Sequence, residues 1–151
     1  MSLETMLGFA GHQIRRCHQL AVALFAEELV AFDVTPLQFA ALSAIAEHPD
    51  LDATRLAHLV AFDRSTLGNV LERLEARALI KRHYRPADKR TKRLHLTAAG
   101  RRLLRAIAPA VGRSQQRFIE VLTAAEQRQL RRILGTLIER HAADEERLES
   151  R

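Results

Sequence analysis

Thirteen residues near the middle of the chain, Lys81–Arg93 (KRHYRPADKRTKR), hold seven Lys or Arg and one acid, Asp88. Leu79-Ile80 comes before them and Leu94-His95-Leu96 after. Two short apolar runs joined by a charged loop with a proline predict a β-hairpin over about Ile80–Leu96. Alternation should turn Leu94 and Leu96 to a core and leave Arg93 and His95 outside. A hairpin this cationic cannot bury its tip. It must be solvated or lie against a polyanion such as a phosphate backbone.

The segments around the hairpin read as helices. Residues 9–32 form a long helical pattern with apolar residues on more than one face (Ile14, Cys17, Leu20, Phe25, Leu29), so this helix should pack against two things. Thr35-Pro36-Leu37-Gln38 combines an N-cap, a proline at the first helical position and the far end of a capping box. That helix should end before Pro49. Asp52 should cap a short third helix, and Asp63 a fourth whose buried stripe is Leu67, Val70, Leu71 and Leu74. After the hairpin, Thr97 should cap a long helix that Pro109 interrupts and kinks. Thr123 and Glu126 form a second capping box ahead of the last helix, whose acidic tail should fray. The expected fold class is mainly α with a small β-hairpin wing: a winged helix-turn-helix plus a helical dimerisation layer. The 151 residues are expected to form a single domain. Within it, about 35–100 is the winged lobe, and about 5–33 and 101–145 the dimerisation region.

Charge follows the same division. Residues 1–63 carry a net −5, residues 64–100 a net +7 and residues 101–151 a net +4. Positive charge gathered around the fourth helix and hairpin is the footprint expected of a nucleic-acid surface. On the fourth helix, the apolar stripe leaves Arg64, Ser65, Thr66, Asn69 and Arg73 pointing away. These are side chains that read base edges or hold phosphates. Gly68 could permit close approach to a groove. In the wing, Lys89, Arg90, Lys92 and Arg93 are the expected phosphate or minor-groove contacts. Asp88 is expected to orient a neighbouring Arg.

The run DRSTLGNVLERLEARALIKR…PADKRTKRLHLTAAG resembles the MarR family of dimeric transcription regulators, most specifically in D-K-R-T-x-x-L-x-L-T-x-x-G from Asp88 to Gly100. The resemblance implies a homodimer with two winged modules on a pseudo-palindromic double-stranded operator, usually as a repressor released by a small ligand. It places Arg64, Ser65, Thr66 and Asn69 in the major groove and Arg90 in the minor groove. One departure stands out. The family commonly has glycine just after the recognition helix, where this chain has Ala78. A left-handed Ala78 would cost about 1 kcal/mol, so the local turn is expected to differ.

For the effector, the resemblance implies a site between the dimerisation layer and the DNA-binding lobe, often for aromatic acids. His12, Arg15, Arg16 and His18 on the first helix are the candidate ligand-binding residues. Two alternatives remain open: a redox-sensing repressor using Cys17, or a non-sequence-specific DNA-binding protein. As the only cysteine, Cys17 leaves no internal disulfide or resolving partner, and its place in an apolar stripe reads as a small hydrophobe. The seven histidines contain no i, i+3 or i+4 pair, and no acid is expected to complete a cluster, so no metal site is expected. No catalytic constellation or cofactor loop appears, so neither an enzyme nor a cofactor is expected. No run approaches the roughly 18 apolar residues of a membrane span, and no secretory leader is visible, so the expected location is the cytoplasm.

Overall fold

The computed structural model describes residues 2–85 and 88–149, with side chains other than those of residues 85, 88–91 and 144–149. The chain divides into two compact units, Met1–Gln115 and Gln116–Arg151.

The first unit opens with α1 (Leu3–Leu7) and α2 (Ala10–Leu29), which runs into a 3₁₀ turn at Val30–Phe32. The capping box of α3 (Pro36–Glu47) is formed as expected. Gln38 N–H donates to Thr35 Oγ1, and Gln38 Oε1 accepts from Thr35 N–H, both at 3.2 Å. A two-residue strand, β1 (Leu51–Asp52), leads into α4 (Ala53–Val60), where Asp52 Oδ1 accepts from Arg55 N–H at 2.9 Å. Then comes α5 (Arg64–Ala76), capped by Asp63, whose Oδ1 accepts from Thr66 N–H at 2.8 Å. The wing is β2 (Ile80–Arg85) and β3 (Asp88–Leu96), and α6 (Ala98–Ile119) follows.

The sheet has the order β1-β3-β2 and is antiparallel throughout. Its third strand was not anticipated, because two residues carry no readable alternation. Leu94 and Leu96 turn inward as expected. They join Leu67, Leu71 and Leu74 of α5 and Leu42 of α3 in one buried cluster, the core of the winged module. A smaller cluster of Phe25, Leu29, Val34, Ile107 and Ala110 joins α2 to α6, and Arg113 Nε donates to Glu28 Oε2 at 2.8 Å beside it. The expected interruption at Pro109 does not occur. The proline removes one N–H donor, and the helix continues through it.

Two turns fix the ends of α5. Ala61 takes φ 53° before it and Ala78 takes φ 54° after it. The turn after α5 therefore does not avoid the left-handed conformation. Leu79 N–H donates to Leu74 O at 2.9 Å in the six-to-one pattern that closes a helix, and Ala78 carries the strain glycine would avoid. Next to it, Gly100 is sterically required, since a Cβ there would lie 2.3 Å from Leu79 O and 2.8 Å from Leu96 Cδ1. Thr97 Oγ1 accepts from Gly100 N–H at 3.0 Å and lies 2.7 Å from Ala78 O, so its cap also fastens α6 to the end of α5.

In the second unit, Thr123 and Glu126 form the expected box at the start of α7 (Ala124–Glu149). Thr123 N–H donates to Glu126 Oε2 at 2.8 Å, and Glu126 N–H to Thr123 Oγ1 at 3.4 Å. Hydrogen bonding to Thr123 holds the Glu126 carboxyl below its ordinary pKa.

Candidate nucleic-acid interface

The face of α5 away from its buried stripe is polar. Arg64, Ser65, Asn69 and Arg73 are exposed, and Thr66 is half-buried. Thr66 is only partly free, because its Oγ1 donates to Asp63 Oδ2 at 2.5 Å as part of the cap. That bond and the Thr66 N–H hold the Asp63 carboxyl below its ordinary pKa, keeping the cap ionised at the positive end of the helix dipole. No Cβ-sized obstacle lies within 4 Å of Gly68, so packing within the protein does not require glycine there.

The wing cations divide. Lys92 is exposed, and its Nζ sits 5.7 Å from the ring centroid of Tyr84, its cross-strand partner. Arg93 turns away from Leu94 as expected, but it is not open to solvent. Its side chain is 17% exposed, and its Nη1 lies 3.1 Å from Asp52 Oδ2. The reason is the third strand: β1 pairs Asp52 with Arg93 across the ladder and puts a carboxylate within reach. The side chains of Lys89, Arg90 and Asp88 lie outside the described residues, and so does the expected Asp88 anchor. Among the described residues, Asp52 holds Arg93, and Glu75 holds Arg82 of β2, with Oε2 3.0 Å from its Nε.

A cleft of about 590 Å³ opens behind α5, lined by His18 and Val22 of α2, the start of α3 from Val34 to Gln38, and Thr66, Asn69, Val70 and Arg73 of α5. Of the four ligand candidates on α2, only His18 lines it. Arg15 reaches back along its own helix, with Nη2 3.4 Å from His12 Nδ1, and Arg16 is exposed elsewhere. Arg73, expected only at DNA, also lines the cleft.

Cys17 is exposed in the single chain, not buried as its place in an apolar stripe implied. The first half of α2 is uncovered around it, with Ile14 and Leu20 exposed there, Leu3 on α1 and Phe9 between the two helices, while Phe25 and Leu29 further along α2 are buried. A further surprise is a cluster of Asp50, His83 and His95, so an acid does complete a histidine group. The helical spacing rule could not find it, because the two histidines sit on paired strands twelve residues apart.

Comparison with known proteins adds to this geometry. Residues 32–91 match the sequence model of the MarR family. The transcriptional regulator HosA of Escherichia coli O111:H- is 35% identical over 118 residues, 78% of this chain and 86% of the relative. The chain belongs to the MarR family. A mutant MarR from Escherichia coli, solved with operator DNA, superposes with a TM-score of 0.83 at 26% identity, covering 91% of this chain and 98% of that one. Bordetella bronchiseptica BpsR, solved in work on regulation of its DNA binding by 6-hydroxynicotinic acid, superposes with a TM-score of 0.82 at 29% identity, covering 87% and 94%. The MarR-like fold here is mostly helical with a small three-stranded antiparallel wing. As a member of the MarR family, the protein is a DNA-binding transcription regulator and not an enzyme.

Proposed function

We propose that the protein is a homodimeric repressor whose operator binding is relieved by a small aromatic acid. One observation carries this reading: Thr66, Asn69 and Arg73 belong both to the polar face of α5 and to the wall of the cleft that His18 closes. A carboxylate drawn to Arg73 and His18 would compete with DNA for the same helix face. Relatives support the ligand class, since 6-hydroxynicotinic acid regulates DNA binding in BpsR. In this reading Arg64, Ser65, Thr66 and Asn69 enter the major groove of a pseudo-palindromic operator, and Arg73 contacts the same duplex. Lys89, Arg90, Lys92 and Arg93 serve the wing, with Arg93 acting through its anchor on Asp52. Two copies join through about 5–33 and 101–145, which would cover Leu3, Phe9, Ile14 and Leu20, together with Leu134 and Leu137 of α7. Such a regulator works in the cytoplasm, on duplex DNA.

The test is fluorescence anisotropy with duplexes from the region flanking the gene, against excess random DNA at fixed salt. Retention of one operator, with release by aromatic carboxylates but not by their amides, is the expected result. His18→Ala should blunt release and leave operator affinity intact. Equal displacement by random DNA would refute a specific repressor. A redox-responsive repressor is the second reading, and it requires Cys17, exposed in the single chain, to stay reachable within the dimer. It predicts release by peroxide that Cys17→Ser abolishes.

A further inference from the structure

At the base of the wing, three potential ligand atoms meet on one face of the sheet. Directly paired residues of an antiparallel ladder share a face, so the pairs Lys81↔His95 and His83↔Arg93 put both histidines on the face opposite Leu94 and Leu96. The pair Leu51↔Leu94 brings Asp50 to the edge of the same face, next to His95. The two imidazole rings lie side by side, with centroids 4.1 Å apart. His83 Nε2 is 3.0 Å from His95 Nε2, and Asp50 Oδ1 is 2.7 Å from His95 Nε2 and 3.8 Å from His83 Nε2.

Those three separations bracket what a metal requires. Ligand bonds of about 2.0–2.1 Å in a tetrahedral site put neighbouring ligand atoms about 3.3 Å apart. An ion seated over the triangle of Oδ1 and the two Nε2 atoms would shift these separations by roughly half an ångström and would require the imidazole rings to turn their Nε2 lone pairs towards it. The ligand chemistry suits borderline divalent ions: two imidazoles and a carboxylate, with a fourth position for water. The support around the site is built as well. Asp50 is held at φ 68°, and Arg93 Nη1 lies 3.4 Å from its carbonyl oxygen while also pairing with Asp52. The three side chains are 45% (His83), 38% (His95) and 32% (Asp50) exposed, enough for an ion to enter from solvent.

We propose that Asp50, His83 and His95 form a binding site for a divalent transition-metal ion of the zinc class, tying the loop before β1 to both strands of the wing. The site is separate from the cleft behind α5, and the proposal does not depend on which effector that cleft takes.

The test uses the full-length chain, stripped of metal and titrated with Co²⁺ as a spectroscopic probe, followed by displacement with Zn²⁺. The expected result is one Co²⁺ per chain with the visible bands of a tetrahedral site, bleached by Zn²⁺. His83→Gln and His95→Gln should each weaken binding by at least about tenfold, while His58→Gln, on the exposed face of α4, should change nothing. Zn²⁺ should also raise the thermal midpoint of the wild type and leave that of the double variant unmoved. Asp50→Asn keeps a residue that tolerates the left-handed turn, so it tests the carboxylate if a histidine variant proves misfolded. Bands that survive in the His83→Gln/His95→Gln protein, or no Co²⁺ bands in the wild type at millimolar metal, would overturn the proposal.

Discussion

Arg93 and Asp52 face one another across the β1–β3 ladder, with Arg93 Nη1 3.1 Å from Asp52 Oδ2. The same carboxylate caps α4 through its other oxygen, which accepts from Arg55 N–H at 2.9 Å. One side chain thus couples the wing to the helix-turn-helix. Both partners are largely sheltered, 17% and 15% exposed, so their pairing is screened less than a surface ion pair.

Two substitutions separate those roles. Asp52→Asn keeps a capping oxygen and loses the charge, and should cost about 1 kcal/mol in urea unfolding. Asp52→Ala loses both and should cost about 2 kcal/mol. Equal costs would mean that the ion pair contributes nothing.

Gly100→Ala should be among the most damaging single-methyl changes in the protein. The added carbon would meet the backbone oxygen of Leu79, which cannot rotate away, and the expected loss is about 1–3 kcal/mol. A thermal midpoint within error of the wild type would show that α6 shifts freely along the wing.

Gly68→Ala should act in the opposite sense on stability. Open space surrounds the position, so alanine should stabilise α5 by about 0.5–1 kcal/mol. If the helix lies close in the groove, operator affinity should fall in the same variant. A gain in stability with unchanged affinity would leave that glycine no role at DNA.

Base readers and backbone contacts should differ in specificity. Asn69→Ala is expected to relax preference at one operator position by about 1–3 kcal/mol. Arg90→Ala should weaken all duplexes alike and reduce the salt dependence. Panels of operator point variants, titrated at two salt concentrations, distinguish the two patterns.

Acid should loosen α5 through Asp63. Its carboxyl is held below its ordinary pKa, chiefly by the Thr66 hydroxyl and then by the Thr66 N–H. A depressed folded-state value means the stabilisation is fully present above the unfolded-state pKa and disappears as pH falls through the folded one. Asp63→Asn retains a cap without the titration. Its stability gap to the wild type should close as pH falls through and below the ordinary carboxylate range. A constant gap would indicate that the charge is irrelevant.

What could be read in advance was local. The caps at Thr35, Asp52, Asp63, Thr97 and Thr123 are short-range hydrogen-bond patterns, and each helix starts where they place it. The stripe from Leu67 to Leu74 and the alternation at Leu94 and Leu96 follow from periodicity alone. What escaped depends on register. The pairing of Asp52 with Arg93 needs β1, a strand too short to announce itself, and the meeting of His83, His95 and Asp50 needs the hairpin register. Written on a ladder, that register would have put the two histidines on one face. Cys17 misled for another reason: an apolar stripe indicates that something covers it, but not whether the cover belongs to the same chain. The turn at Ala78 was judged by local cost, yet Thr97 and Gly100 lock the surrounding backbone in place.

The left-handed alanines at 61 and 78 bracket α5. A methyl group at such a position narrows the range of dihedrals its turn can sample, whereas glycine would leave the joint loose. The helix is therefore held between two stiff joints, and its angle to the rest of the winged module is largely fixed. In the proposed regulator an effector would therefore act by occupying the α5 face, since the two joints leave that helix little room to swing aside.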